Sequence, residues 1–196
     1  MDANKFRILI SRVRSGDPTA AAELHREYGD QLQRIVRVRM TDLRLRRQMD
    51  SMDVCQSVFA DFFVRMALGQ FDISEPADLL KLLATMAKNR VIHHAHKQKA
   101  ARRDVRRNRD DVVEELGLHG ADESPSQIVA TRELIEEFLR RLGAEDQAIA
   151  EHRRSGRTWD EIGIELGRSG EAVRKQYERT LRQVSDELGL EELLDQ

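Results

Sequence analysis

The sequence predicts an all-α protein of two small helical domains joined by an acidic flexible linker, and three observations carry that prediction. First, 35% of the 196 residues are charged and only 5% aromatic, with 11 Gly, 3 Pro and no long β-branched run, a composition that favours helices over a sandwich or barrel. Second, apolar residues recur at helical spacing in separate stretches, opened by a capping residue or proline and in two cases closed by a glycine, Gly69 and Gly143. Third, the acidic segment from Asp110 to Glu123 contains Gly117 and Gly120 and runs into Ser124-Pro125, which divides the chain into residues 1–109, a linker over 110–124, and residues 125–196.

The elements follow in order. Asp17 suits an N-cap with Pro18 at the first helical position, and Leu24, Tyr28, Leu32, Ile35 and Val38 then recur at helical spacing. With Gly29 among them, the stretch reads as two short helices or one interrupted helix. A second helix is expected from Ser51 to Leu68, with Val54, Val58 and Phe62 on one stripe, Phe59, Phe63 and Met66 beside it, and Gly69 closing it. Ser74, Glu75 and Pro76 open a long third helix whose apolar side is Leu79, Leu80, Leu83, Met86, Ala87 and Val91. The stripe stops after Ile92, so the continuation to Arg109 has no core face and should project into solvent or onto a polyanion. Beyond the linker, Ser124, Pro125 and Gln127 form a capping-box start, and Ile128, Leu134, Ile135, Phe138 and Leu142 lead to Gly143.

The stretch from Thr158 to Val184 has a helix-turn-helix pattern. Thr158 and Glu161 suit a capping box for a short helix through Ile162 and Leu166; Gly167 stands where a left-handed residue is needed; Ser169 can cap a second helix carrying Val173, Tyr177, Leu181 and Val184. Off that stripe lie Arg174, Lys175, Gln176, Arg179 and Arg182, with Glu171 in the first turn. Arg bonds guanine bidentately, Gln bonds adenine, and Lys and the helix N-terminus suit phosphates, so these side chains fit a major-groove reader. An ordinary helical hairpin with a solvated basic face is the bland alternative.

A net charge of -2 argues against a nucleic-acid partner until its distribution is read. Between Lys81 and Arg109, Lys88, Arg90, Lys97, Lys99, Arg102, Arg103, Arg106 and Arg107 face the single acid Asp104. The single cysteine, Cys55, excludes an intramolecular disulfide and reads as a small packing residue, and without a signal-like or membrane-length apolar stretch the expected location is cytoplasmic. Trp159 reads as a packing aromatic. His93, His94 and His96 do not converge on one helix face, so no metal and no other cofactor is expected. With no Gly-rich phosphate loop and no nucleophile elbow, no catalytic residue is assigned and the chain is not expected to be an enzyme.

With these motifs in hand, the sequence resembles the sigma-70 family, specifically the small extracytoplasmic-function (ECF) class that has only regions 2 and 4. Leu142-Gly143-Ala144-Glu145-Asp146, Arg157-Thr158-Trp159-Asp160-Glu161-Ile162 and Ser169-Gly170-Glu171-Ala172-Val173-Arg174 look like region 4. The stretch from Asp50 to Phe59 resembles region 2.2, and Ala84 to His93 resembles the promoter-opening segment. The resemblance implies a region 2 bundle and a region 4 helix-turn-helix that together bind core RNA polymerase and promoter DNA. It places Asp50, Asp53, Gln56 and Phe59 against polymerase. Lys88, Asn89, Arg90, His94 and Lys97 would serve the −10 element, and Ser169, Glu171, Ala172, Arg174, Lys175 and Arg179 the −35 element.

Two positions depart from the family pattern: Met52 stands where a Glu is usual, and Leu82 where an aromatic is common. An anti-sigma factor or a regulatory kinase are the further partners considered, the latter because a phosphate on Ser51 would restore negative charge beside Met52. Two rival readings remain at this point. One is an ordinary helix-turn-helix repressor or activator that binds DNA alone as a dimer. The other is a polymerase-binding decoy that does not open DNA.

Overall fold

A computed structural model describes residues 2–39, 50–104 and 125–190. Among them lie helices α1 (Ala3–Arg14), α2 (Pro18–Arg39), α3 (Ser51–Ala67), α4 (Pro76–Asp104), α5 (Pro125–Arg141), α6 (Ala144–Arg154), α7 (Trp159–Glu165) and α8 (Gly170–Glu187), and no strand. The all-α expectation holds. The expected linker and the Ser124 cap lie outside the described residues.

Helix α1 was not anticipated, although Phe6, Leu9, Ile10 and Val13 are spaced for one helical face and are buried. Its end is tied to the start of α2 through Asp17. One carboxylate oxygen accepts the Thr19 and Ala20 amides at 2.8 and 3.3 Å, and the other accepts Arg12 Nε at 2.8 Å. Helix α2 passes Gly29 without interruption. Leu24, Tyr28 and Leu32 line its core face as expected, but the stripe continues through Val36, fully buried, rather than Val38, which is 72% exposed. Packing along the whole helix outweighs the local cost of one glycine, about 1 kcal/mol.

Asp50 caps α3 by accepting the Met52 amide at 3.0 Å. The helix is covered from several sides: Val54, Cys55, Val58, Phe59, Phe62 and Met66 join α1, α2 and α4 in a first core. Leu79, Leu83, Met86, Ala87 and Val91 supply the α4 side, and exposed Ile92 and His93 mark where that face runs out. Asp61, buried in α3, is met by Arg90 of α4 at 3.6 Å, so the acid inside this core has its cation.

A second core gathers Phe138 and Leu142 from α5 and its end, Ile149 and Ala150 from α6, Ile162 from α7, and Val173, Tyr177, Leu181 and Val184 from α8. It is completed by two residues from the other half of the chain, Val64 in α3 and Leu68 just beyond it. Removing a Val or Leu side chain from water stabilises by about 1.5–3 kcal/mol, so these two are a substantial part of so small a core.

Candidate polymerase and promoter surfaces

The first candidate surface is the N-terminal end of α3. Asp50 and Asp53 are exposed there, Met52 stands between them, and Gln56 is half-buried. Asp53 lies in the first turn, where the helix dipole favours a carboxylate. Ser51 is half-buried, its hydroxyl 3.5 Å from the Asp50 carboxylate. Phe59 departs from expectation. It is 2% exposed, 4.6 Å from the His25 ring and stacked on Phe63, so it supports this face from beneath and offers nothing to a partner. Six residues after Asp53, about 1.7 turns, α3 has rotated Phe59 onto α2. Cys55 is also buried, and burial pushes its thiol up to about 12, which suits packing and not redox chemistry.

The second surface is the outer side of α4. Lys88 is exposed, Asn89 and His94 are half-buried, and the side chain of Lys97 lies outside the described residues. Arg90 turns inward to Asp61 and is anchored rather than displayed; the sequence separation of 29 residues hid that pairing. Leu82, at the position where the family commonly has an aromatic, packs against the first core.

The third surface is built by α7 and α8, and here local chemistry matches the reading closely. Thr158 Oγ1 accepts the Glu161 amide at 3.3 Å while the Glu161 carboxylate accepts the Thr158 amide at 2.7 Å, a complete capping box. Gly167 has φ +65°, and the Arg168 amide returns to the Gly163 carbonyl at 2.9 Å. Ser169 Oγ then caps α8 through the Ala172 amide at 3.2 Å. The two helices meet where neither has a side chain: a Cβ on Gly163 would lie 2.6 Å from the Gly170 nitrogen, and one on Gly170 would lie 2.7 Å from the Trp159 carbonyl carbon. Gly163 escaped the sequence reading because a mid-helix glycine signals close approach only once its neighbour is known.

Helix α8 buries Val173, Tyr177, Leu181 and Val184 and leaves Glu171, Ala172, Lys175 and Arg179 exposed, with Arg174 half-buried. Four of its charges, Glu171, Arg174, Lys175 and Glu178, are paired with one another. Glu171 accepts two bonds from Arg174, both 3.0 Å, and faces Lys175 at 3.3 Å; Arg174 also donates to Glu178 at 2.8 Å. The Arg174 bonds, then the Lys175 bond, hold the Glu171 carboxyl below its usual range, and Glu171 in turn raises Arg174. Trp159 packs as expected, its ring 5.8 Å from Tyr177 and 4.4 Å from the Arg153 guanidinium.

A capped helix-turn-helix with a basic outer face, preceded by an α-helical bundle with an acidic helix start, defines a DNA-binding transcription protein. Comparison with known families agrees: residues 3–188 match the family model described as ECF sigma factor, and the chain belongs to that family. No curated protein and no solved structure matches it. Sigma factors of this family are non-enzymatic transcription regulators that bind RNA polymerase and direct promoter-specific initiation. No described helix is long and apolar enough to cross a membrane.

Proposed function

We propose that the chain reads a bipartite promoter in the cytoplasm: α8 enters the major groove of the −35 element, and the outer side of α4 meets the −10 element. The observation that carries this reading is the α7–α8 unit, in which caps, turn and glycine contact fix a helix whose N-terminal half turns Glu171, Ala172, Arg174, Lys175 and Arg179 away from the core. In the groove, Arg174 exchanges Glu171 and Glu178 for a base edge, while Lys175 and Arg179 serve phosphates and Ser169 sets the helix start. The pairing with Glu171 holds the Arg174 fork in one place before DNA arrives, and it penalises sites that offer Arg174 nothing in exchange.

At the other end, Lys88 and the His94–Lys97 stretch suit phosphates, and half-buried Asn89 suits a base held out of the stack, a step costing a few kcal/mol. Arg90 serves by fixing α4 to α3 through Asp61. With Leu82 packed against the first core and unable to stack on a base, opening falls more to easily deformed promoter steps. Polymerase meets Asp50, Asp53 and Gln56 at the start of α3, with Phe59 behind them.

The test is reconstitution with core RNA polymerase and transcription from a genomic library. The expected outcome is a complex and promoter-selective transcripts, with Arg174→Ala altering selection at −35 and Asn89→Ala at −10. A complex without transcripts returns a polymerase decoy. Sequence-specific DNA binding as a dimer, with no polymerase complex, returns an ordinary regulator.

A further inference from the structure

The outer face of α8 carries a group of charges that cancels. Glu171, Arg174, Lys175 and Glu178 are linked to one another, two acids with two cations. Such a group neutralises few phosphates and adds little to general affinity for DNA, so its use lies in selection among bases. Within it, Arg174 Nε and Nη2 donate to the two carboxylate oxygens of Glu171, both at 3.0 Å, and Nη1 donates to Glu178 at 2.8 Å. The fork that Arg174 presents to Glu171 is the fork that guanine accepts at O6 and N7. When Arg174 turns to guanine, the Glu171 carboxylate gives up two donors and needs others.

The place of Glu171 on α8 supplies them. Ser169 spends its hydroxyl on the Ala172 amide at 3.2 Å, and Gly170 leaves no room for a side chain, since a Cβ there would lie 2.7 Å from the Trp159 carbonyl carbon. Glu171 is therefore the first side chain of α8 able to reach past the protein surface, and its side chain is 56% exposed. Gln176, whose chemistry suits adenine, is engaged elsewhere: Oε1 accepts Arg168 Nη1 at 2.7 Å and Nε2 donates to Glu145 at 3.4 Å. An ionised carboxylate only accepts hydrogen bonds. In the major groove guanine offers acceptors, thymine an acceptor and a methyl group, adenine a donor beside the N7 acceptor, and cytosine its N4 amine alone.

We propose that Glu171 selects a cytosine in the −35 element through that amine, within one base-pair step of the guanine taken by Arg174. The proposal rests on the promoter reading above and deepens it, naming the bases that α8 sorts. Residues three apart on a helix are separated by a rise of about 4.5 Å, against about 3.4 Å between base pairs, which sets the step. A site with guanine or thymine in place of the cytosine sets an acceptor against the carboxylate and is rejected.

The test is transcription by holoenzyme, reconstituted from core polymerase and the full chain, on a promoter library with randomised −35 bases. In wild type, one position should favour cytosine over each other base at least about fivefold, beside the position whose guanine preference Arg174→Ala removes. Glu171→Gln keeps the length of the side chain and places an amide donor beside its acceptor, the pattern adenine matches. At that position the preference should move from cytosine to adenine while the neighbouring guanine is retained. Glu171→Ala should leave the position without preference. Base ratios at one position are not moved by a uniform change in affinity, so the loss of a negative charge does not imitate these results. If Glu171→Gln instead weakens the guanine preference and shifts no other position, Glu171 only holds Arg174 and the proposal is overturned. A wild-type −35 element with the guanine but no cytosine beside it overturns it as well, with the promoter reading intact. Failure of the promoter reading itself has a different signature, a wild-type holoenzyme with no base preference anywhere in the −35 window.

Discussion

The two cores differ in how far each is closed by its own part of the chain. The first, around α3, is completed by α1, α2 and α4 and pairs its buried acid, Asp61, with Arg90 from a neighbouring helix. The second takes Val64 and Leu68 from α3 and places a whole arginine, Arg153, in the joint. A self-contained core makes a fixed platform for a large partner. A core that borrows part of its surface is coupled to the lender, and its stability reports whether the two are together.

Mutations separate these behaviours, and the single tryptophan, Trp159, lies in the second core and provides a local probe. The largest effect is expected from Phe62→Ala, fully buried in the first core, which should cost about 3–5 kcal/mol in a urea titration followed by helicity. Leu68→Ala should cost about 2–5 kcal/mol and should lower the Trp159 fluorescence midpoint, although the residue follows α3. An unchanged Trp159 midpoint would break the comparison, since the second core would then be self-sufficient.

Smaller effects test the proposed roles of two neighbouring side chains on α8. Arg174→Ala should remove about 1–3 kcal/mol of discrimination at one −35 base pair, whereas Lys175→Ala should weaken all promoters alike and reduce the salt slope by about 1. A uniform loss from both would remove Arg174 from base reading. Thr158→Ala deletes the cap of α7 and should cost about 1 kcal/mol, seen at the Trp159 probe and not in the first core.

The smallest effect belongs to Asp17, whose carboxyl is held at about 2, against an ordinary 3.8, by the Thr19 hydroxyl first and Arg12 second. A carboxyl lowered on folding contributes stability that is complete above about pH 4 and is lost as pH falls toward 2. Wild type should therefore lose part of its stability in that window, and Asp17→Asn should lose less. Parallel pH profiles for the two proteins would remove Asp17 as the link between α1 and α2.

Much of the fold was legible because its signals are local. The Thr158–Glu161 capping box, Gly167, the Ser169 cap and the α8 stripe each involve residues within a few positions, where backbone geometry leaves few choices. The unbroken α2 was not legible, because helix continuity at Gly29 depends on what its far end packs against. The candidate surfaces divide in the same way. Exposed Asp50, Asp53, Lys175 and Arg179 could be read from helix faces, but Phe59 and Arg90 could not.

By itself, then, the sequence determined the helix after Asp50, the apolar face of the helix that begins at Pro76, and the helix-turn-helix with its caps, since these follow from periodicity and short-range hydrogen bonding. Only the tertiary structure decided that Phe59 supports a surface it does not join, that Arg90 belongs to Asp61, and that Arg153 closes on Gly69 and Asp72. Those are pairings across 29 to more than 80 residues of chain, and no local preference for one partner over another exists until packing brings them within a hydrogen bond's length.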